Sequence, residues 1–314
     1  MKTGALIVPT GIGASIGGFA GDASIWARKL AKHWRLIVNP NVVNAACFSG
    51  ITDNMLYVEG YSLDEFFKGK CKLQPSCENK VGIIFDKAIK QEVLNVHINT
   101  INAVKTVYGI DICGYEITQE DTGVEFFVDN SGVSMGNVKN LETIKDAACK
   151  LIQKGAEAIA IVCRFPDEQG DDYANGIGVD PVGGVEAIIS HYISKELKIP
   201  CAHAPAFDDI TISTDIVDSR CSAEYITPTF LPCILIGLSQ APKLSQTEGI
   251  GIDDTDFIVI PYNALGGIPV LEMIKRNKKV YAIKENKSVL DVTPDKLGIN
   301  CIVLESYQEL IEQI

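Results

Sequence analysis

No stretch of this sequence is apolar for long enough to cross a membrane. The longest candidate, Phe230 to Leu238, is interrupted by Pro232 and Gly237 and falls well short of the roughly 20 residues a span needs. Positive charge is also short: 28 Lys and Arg stand against 40 Asp and Glu, a net charge of -12, which argues against nucleic acid, whose binding depends on basic surface. An anionic ligand therefore needs locally arranged donors rather than an attractive field from the whole molecule. No secretory signal is expected, since Met1-Lys2-Thr3-Gly4 runs into a strand of about five residues that is too short and wrongly flanked. These absences together lead us to expect a cytoplasmic protein with neither membrane nor nucleic acid among its partners. Histidine is scarce as well, with 4 in 314 residues.

What is present describes a globular α/β protein. Hydrophobic residues make up 46% and charged residues 22%, an ordinary balance that supplies ample core for one large unit or two lobes. Most of the 10 cysteines, such as Cys163, Cys233 and Cys301, lie inside apolar runs, where free Cys acts as a small hydrophobe; reduced thiols are expected. Cys71 and Cys77 lack a second half-site at zinc-binding spacing.

Three times a short apolar run ends in a proline or polar residue, then a glycine-rich loop, then a helical pattern. The runs are Ala5 to Pro9, Ile159 to Val162 and Phe257 to Pro261, followed by loops that contain Gly11, Gly13, Gly17 and Gly18, then Gly176, Gly178, Gly183 and Gly184, then Gly266 and Gly267. In open α/β sheets, ligands bind at the carboxyl ends of parallel strands. Further strands are expected at Leu36 to Val38, Met55 to Val58, Val81 to Phe85, Val280 to Ile283 and Cys301 to Leu304. Apolar residues at three- and four-residue spacing predict helices over 93–107, 141–152 and 185–197. The pattern predicts a largely parallel sheet covered by helices, a Rossmann-like three-layer arrangement, possibly in two lobes. Ile112 to Thr118 and Val124 to Val128 read as a hairpin turning at Gln119 to Gly123, and Asp208 to Arg220 as a loop or flap. Gly132 and Gly136 punctuate a polar segment that would divide the chain into halves at 1–135 and 136–314, unless one sheet draws strands from both.

Pro9-Thr10-Gly11-Ile12-Gly13, Asn54 to Tyr61, Tyr173-Ala174-Asn175-Gly176 with Val179-Asp180-Pro181, Cys201 to Pro205, and Phe230-Leu231-Pro232-Cys233 occur in an order that resembles, over nearly the full length, a prokaryotic family catalogued only as a domain of unknown function (DUF3326). The resemblance implies no activity and transfers no catalytic residue.

The first loop departs from the dinucleotide fingerprint, with Ile16 where a third glycine belongs, and has no P-loop lysine. Thr10, Gly11, Gly13 and Ser15 remain candidates for an anion cradle, set against glycine used for tight turns and close packing. Arg164, Asn175 and Gly176 in the second loop, and Asn263, Gly266 and Gly267 in the third, extend that ligand-binding set, with Asn44 beside it. Carboxylates crowd the second loop, and Asp171, Asp172 and Asp180 are candidates to hold Mg²⁺, although Asp180-Pro181 also suits the start of a helix. Arg164 either balances one of these carboxylates or clamps an anion.

His203 is the best candidate for proton transfer, because His33, His97 and His191 fall in helical patterns. It lies two residues from Cys201, on the same face of an extended chain, and is followed by Asp208 and Asp209. Cys47 and Cys201 form a second possibility, the two-thiol arrangement of a cofactor-independent racemase. The leading expectation is an enzyme acting on a small phosphorylated or carboxylated metabolite; a metabolite-sensing module without catalysis is the rival. A homo-oligomer is compatible with either.

Overall fold

The computed structural model describes residues 2–76, 78–167 and 173–313. The chain opens with β1 (Thr3–Leu6), α1 (Ser24–Leu30), β2 (Arg35–Val38), α2 (Pro40–Val43), the short β3 (Asn44–Ala45) and β4 (Phe48–Ser49), then β5 (Met55–Tyr57) and α3 (Gly60–Phe67). Next come β6 (Lys72–Gln74), β7 (Val81–Phe85), α4 (Gln91–Tyr108), β8 (Ile112–Ile117), β9 (Val124–Val128), β10 (Ser134–Val138), α5 (Leu141–Gln153), β11 (Ala158–Arg164), α6 (Gly183–Leu197) and β12 (Cys201–Ala206). The remainder contributes α7 (Ser222–Tyr225), α8 (Leu231–Ser239), β13 (Lys243–Ser245), β14 (Thr255–Pro261), α9 (Ile268–Lys275), β15 (Lys279–Ile283), α10 (Pro294–Leu297), β16 (Ile302–Leu304) and α11 (Tyr307–Glu312).

Two wholly parallel sheets carry the architecture, so the α/β class read from the sequence is what the chain adopts. One runs in the order β16-β15-β14-β1-β2-β5, the other β12-β11-β7-β8. The strands at their centres are buried along their whole length, as expected where both faces are covered. Alternate residues of each strand feed different cores. Leu6, Leu36 and Val259 of the first sheet meet Ile83, Val162 and Ala204 of the second in one shared cluster. Ala5, Ile37 and Ile258 face α3 and α9 instead, while Ile84, Ile159 and Cys163 face α5 and α6.

The apolar stretch that was too short for a membrane becomes the centre of the shared cluster. All nine residues of α8 are buried, as befits a helix without a polar face. Asn79 anchors its far end by donating to the carbonyls of Leu238 (2.9 Å) and Ala241 (2.7 Å).

One expectation is corrected by the topology. Ile112 to Val128 is no hairpin: β8 pairs in parallel with β7, and β9 pairs antiparallel with β10. Asp86, just past β7, is the cause, because its carboxylate accepts from the N–H and the hydroxyl of Thr122 and from Arg164 N–H, pinning the intervening loop across the strand ends. The sheets also do not follow halves of the chain. The second sheet is built wholly from residues between 81 and 206, inside a first sheet that takes strands from both sides of it, and position 135 falls within β10.

Candidate functional site

A cavity of about 850 Å³ opens at the carboxyl ends of strands from both sheets. Ile7, Pro9 and Thr10 after β1, Asn39 to Asn41 after β2, Glu59 after β5, and His203 to Pro205 on β12 with Phe207 just past it reach the cavity. The first turns of α3, α6, α8 and α9 supply further wall, and so does the segment from Asp209 to Pro228. This is the position at which open parallel sheets bind ligands.

His203 projects from β12 toward α6. Its Nδ1 lies 3.0 Å from Ser190 Oγ, and its Nε2 lies 3.6 Å from Glu186 Oε2. In the tautomer in which the Ser190 hydroxyl donates to Nδ1, the ring proton sits on Nε2 and points to the carboxylate. Burial pulls the imidazole down to about 4, against the opposing pull of Glu59, so the ring is neutral at physiological pH. A second histidine–carboxylate pair lies beside the first. His191 Nδ1 donates to Glu59 Oε1 at 2.9 Å and to the carbonyl of Ala187 at 2.7 Å. Burial alone would push Glu59 up, but His191 and the N–H groups of Tyr61 and Ser62 hold its carboxyl below the ordinary value; burial likewise opposes the charge on His191, and Glu59 overrides it. The second pair is therefore ionised and also caps α3. Gly60 makes this approach possible, since a Cβ there would stand 2.5 Å from the His191 ring.

Aromatic rings form the opposite wall. The Tyr173 hydroxyl donates to both oxygens of Glu224, at 3.0 and 3.1 Å, and its ring rests 4.9 Å from that of Phe19. Phe207, Tyr225 and Phe230 continue this surface. Asp180, at the cavity edge, accepts from Val182 N–H before α6; burial raises its carboxyl to about 6 against that hydrogen bond and one from Gly183.

Among the residues singled out from sequence, Thr10, Asn44, Asp180, His203, Asp209 and Gly267 line the cavity. The others serve elsewhere. Gly11 O receives Ser134 N–H, Ser15 donates to Lys287 O, and Gly13 lies against Val289 and Val179, so most of the first loop is held by its own neighbours. Asn263 donates to the carbonyls of Ser288 and Leu290, and Gly266 packs on Val292. Gly176 O accepts from Arg220 at 2.8 Å, and neighbouring Asn175 is exposed. Arg164 is a partner of Asp208 (2.8 Å), which also meets Lys90 at 3.1 Å, and these two cations hold the Asp208 carboxyl down. Arg164 thus pairs with a carboxylate outside the second loop.

Cys201 faces α6 as the strand alternation predicts, yet one step deeper than His203. Its thiol donates to Ser190 O at 3.0 Å, and burial pushes it well above the ordinary thiol range. Burial raises Cys47 as well, and neither thiol lines the cavity, which removes the geometry a two-cysteine racemase requires. Of the Mg²⁺ candidates, Asp171 and Asp172 lie outside the described residues, and Asp180 accepts from Val182 N–H just ahead of α6. Among the described residues no group of three or more His, Cys, Asp or Glu side chains is arranged to hold a metal.

Glu59, Glu186, Ser190 and His191 were not anticipated. The signal was Glu186, Ser190 and Ala187, His191 at four-residue spacing on one helix, a pattern that also describes an ordinary solvated face.

The chain belongs to a family described as protein of unknown function (DUF3326), whose model matches residues 3–314. It is also similar to a protein of Synechococcus sp. named an uncharacterized lipoprotein, at 40% identity over 319 residues that cover 98% of this chain and 89% of that protein. Among the described residues, no helix is long and apolar enough to cross a membrane.

Proposed function

We propose that the protein is an enzyme that binds a small metabolite in this cavity and moves a proton through His203 and Glu186. The observation that carries the reading is their placement: a neutral imidazole on the cavity wall, oriented by Ser190, with a carboxylate 3.6 Å from Nε2. A neutral ring that gains a proton in a buried site needs a nearby partner to sustain the imidazolium, and the Glu186 carboxyl stands in that position. The cytoplasm is the working compartment we infer, supported by buried thiols such as Cys71, Cys163 and Cys233 that carry no disulfide.

The test is incubation of the purified protein with a small-molecule extract in deuterated water, followed by mass spectrometry. The expected result is a metabolite that gains deuterium or changes mass with the wild type but with neither His203→Gln nor Glu186→Gln. A metabolite retained unchanged by the wild type would refute catalysis and make the cavity a sensing site.

A further inference from the structure

We infer that the ligand of this cavity is an organic cation, an amine or quaternary ammonium compound. The inference rests on the cavity being the ligand site, and it replaces the anion that the glycine loops suggested.

Three independent features of the lining agree. The first is charge: seven Asp and Glu side chains line the cavity, and among its described residues there is neither Lys nor Arg. A phosphate or carboxylate buried here would face repulsion, and the cationic His191 among the lining residues is already paired with Glu59.

The second is the state of the helix N-termini, where an anion would otherwise find free N–H groups. Four helices of eight or more residues begin at this cavity, and at each some of the donors are already engaged or removed. Glu59 accepts from the first N–H groups of α3. At α6, Asp180 accepts from Val182 and Ser134 Oγ from Gly184 (2.9 Å). Thr229 accepts from Leu231 at the start of α8, which continues with Pro232, and α9 has Pro269 in its first turn. At α3 and α6 the protein's own carboxylates stand where an anionic ligand would need to be.

The third feature is aromatic. Tyr173 and Phe19 form one aromatic pair of the lining and Phe207 and Phe230 another; Arg220 lies over the Phe19 ring, and Tyr173 is tethered to Glu224. Ring faces beside carboxylates are the combination that recognises alkylammonium groups, since the rings accept the apolar shell of the cation and attract its charge.

Calorimetric titration with choline and agmatine, with the neutral carbon isostere of choline, and with acetate and inorganic phosphate tests the assignment. At least one of the two cations is expected to bind, and if it is choline it should bind about tenfold more tightly than its uncharged isostere. Glu224→Gln and Tyr173→Leu should each weaken the bound cation. The conservative Glu224→Gln keeps the comparison sound if Tyr173→Leu fails to fold. The assignment is overturned if the isostere matches choline, if only the anions bind, or if neither cation binds at millimolar concentration. Each of these results leaves the deuterium test of His203 and Glu186 untouched, so the two readings fail separately.

Discussion

Replacing Asp22 by Asn should stabilise the protein, and by an amount that depends on pH. Asp22 precedes α1; its Oδ1 accepts from Gly17 N–H at 2.7 Å, whereas its Oδ2 is buried without a hydrogen-bond partner. Burial raises the carboxyl from its ordinary 3.8 to about 7, despite hydrogen bonds from Gly17 and Phe19 and the charge of Arg220. The folded state thus holds the proton more tightly than the unfolded chain does. Its contribution is favourable below pH 4 and is lost as pH rises toward 7, at about 1.4 kcal/mol per pH unit. Asn keeps the acceptor for Gly17 and does not ionise. The gap between variant and wild type should therefore be about 1–2 kcal/mol at pH 5 and about 3–4 kcal/mol at pH 7, then level off. Urea unfolding of both proteins at several pH values measures it. A gap that stays constant with pH, or a variant less stable than the wild type at pH 7, would refute the argument.

Two further outcomes follow from the site and its frame. A bound cation favours the ionised form of Asp180, whose carboxyl is raised to about 6, so affinity for the cation should rise by up to about tenfold from pH 5 to pH 7 and then flatten; a flat profile across that range in repeated titrations would separate Asp180 from the ligand. Gly184→Ala would place a Cβ 2.1 Å from the carbonyl oxygen of Ser134, where α6 meets β10, and should cost about 3 kcal/mol; a loss under about 1 kcal/mol by thermal unfolding would show that the contact relaxes.

Much of the fold was legible because strands buried on both faces cannot hide. Val81 to Phe85 was placed to the residue, and the helices over α4, α5 and α6 followed from their apolar spacing. The pairing of β8 and β9 was not legible, because it is decided by Asp86, whose side chain reaches Thr122 and Arg164 across long sequence separations. Of the site, His203 stood out by its rarity and its strand-end position. Glu59 and His191 did not, since only tertiary packing over Gly60 brings them together. The glycine loops do not report the charge of a ligand for a related reason: glycine reports backbone shape, and which groups occupy the helix N-termini is settled by side chains from elsewhere.

The nesting of one sheet within the other imposes an order on synthesis. Every strand of the second sheet has left the ribosome once residue 206 has, and those strands pair only with one another. Strand β1 has β2 on one side but waits for β14 on the other, Thr3 pairing with Thr255. Until then an apolar edge from the start of the chain stays open, the kind of long-range parallel closure that is slow and exposed to aggregation. Substitutions that weaken the β1 to β14 seam should thus lower the yield of soluble protein during translation more than they lower the stability of molecules already folded.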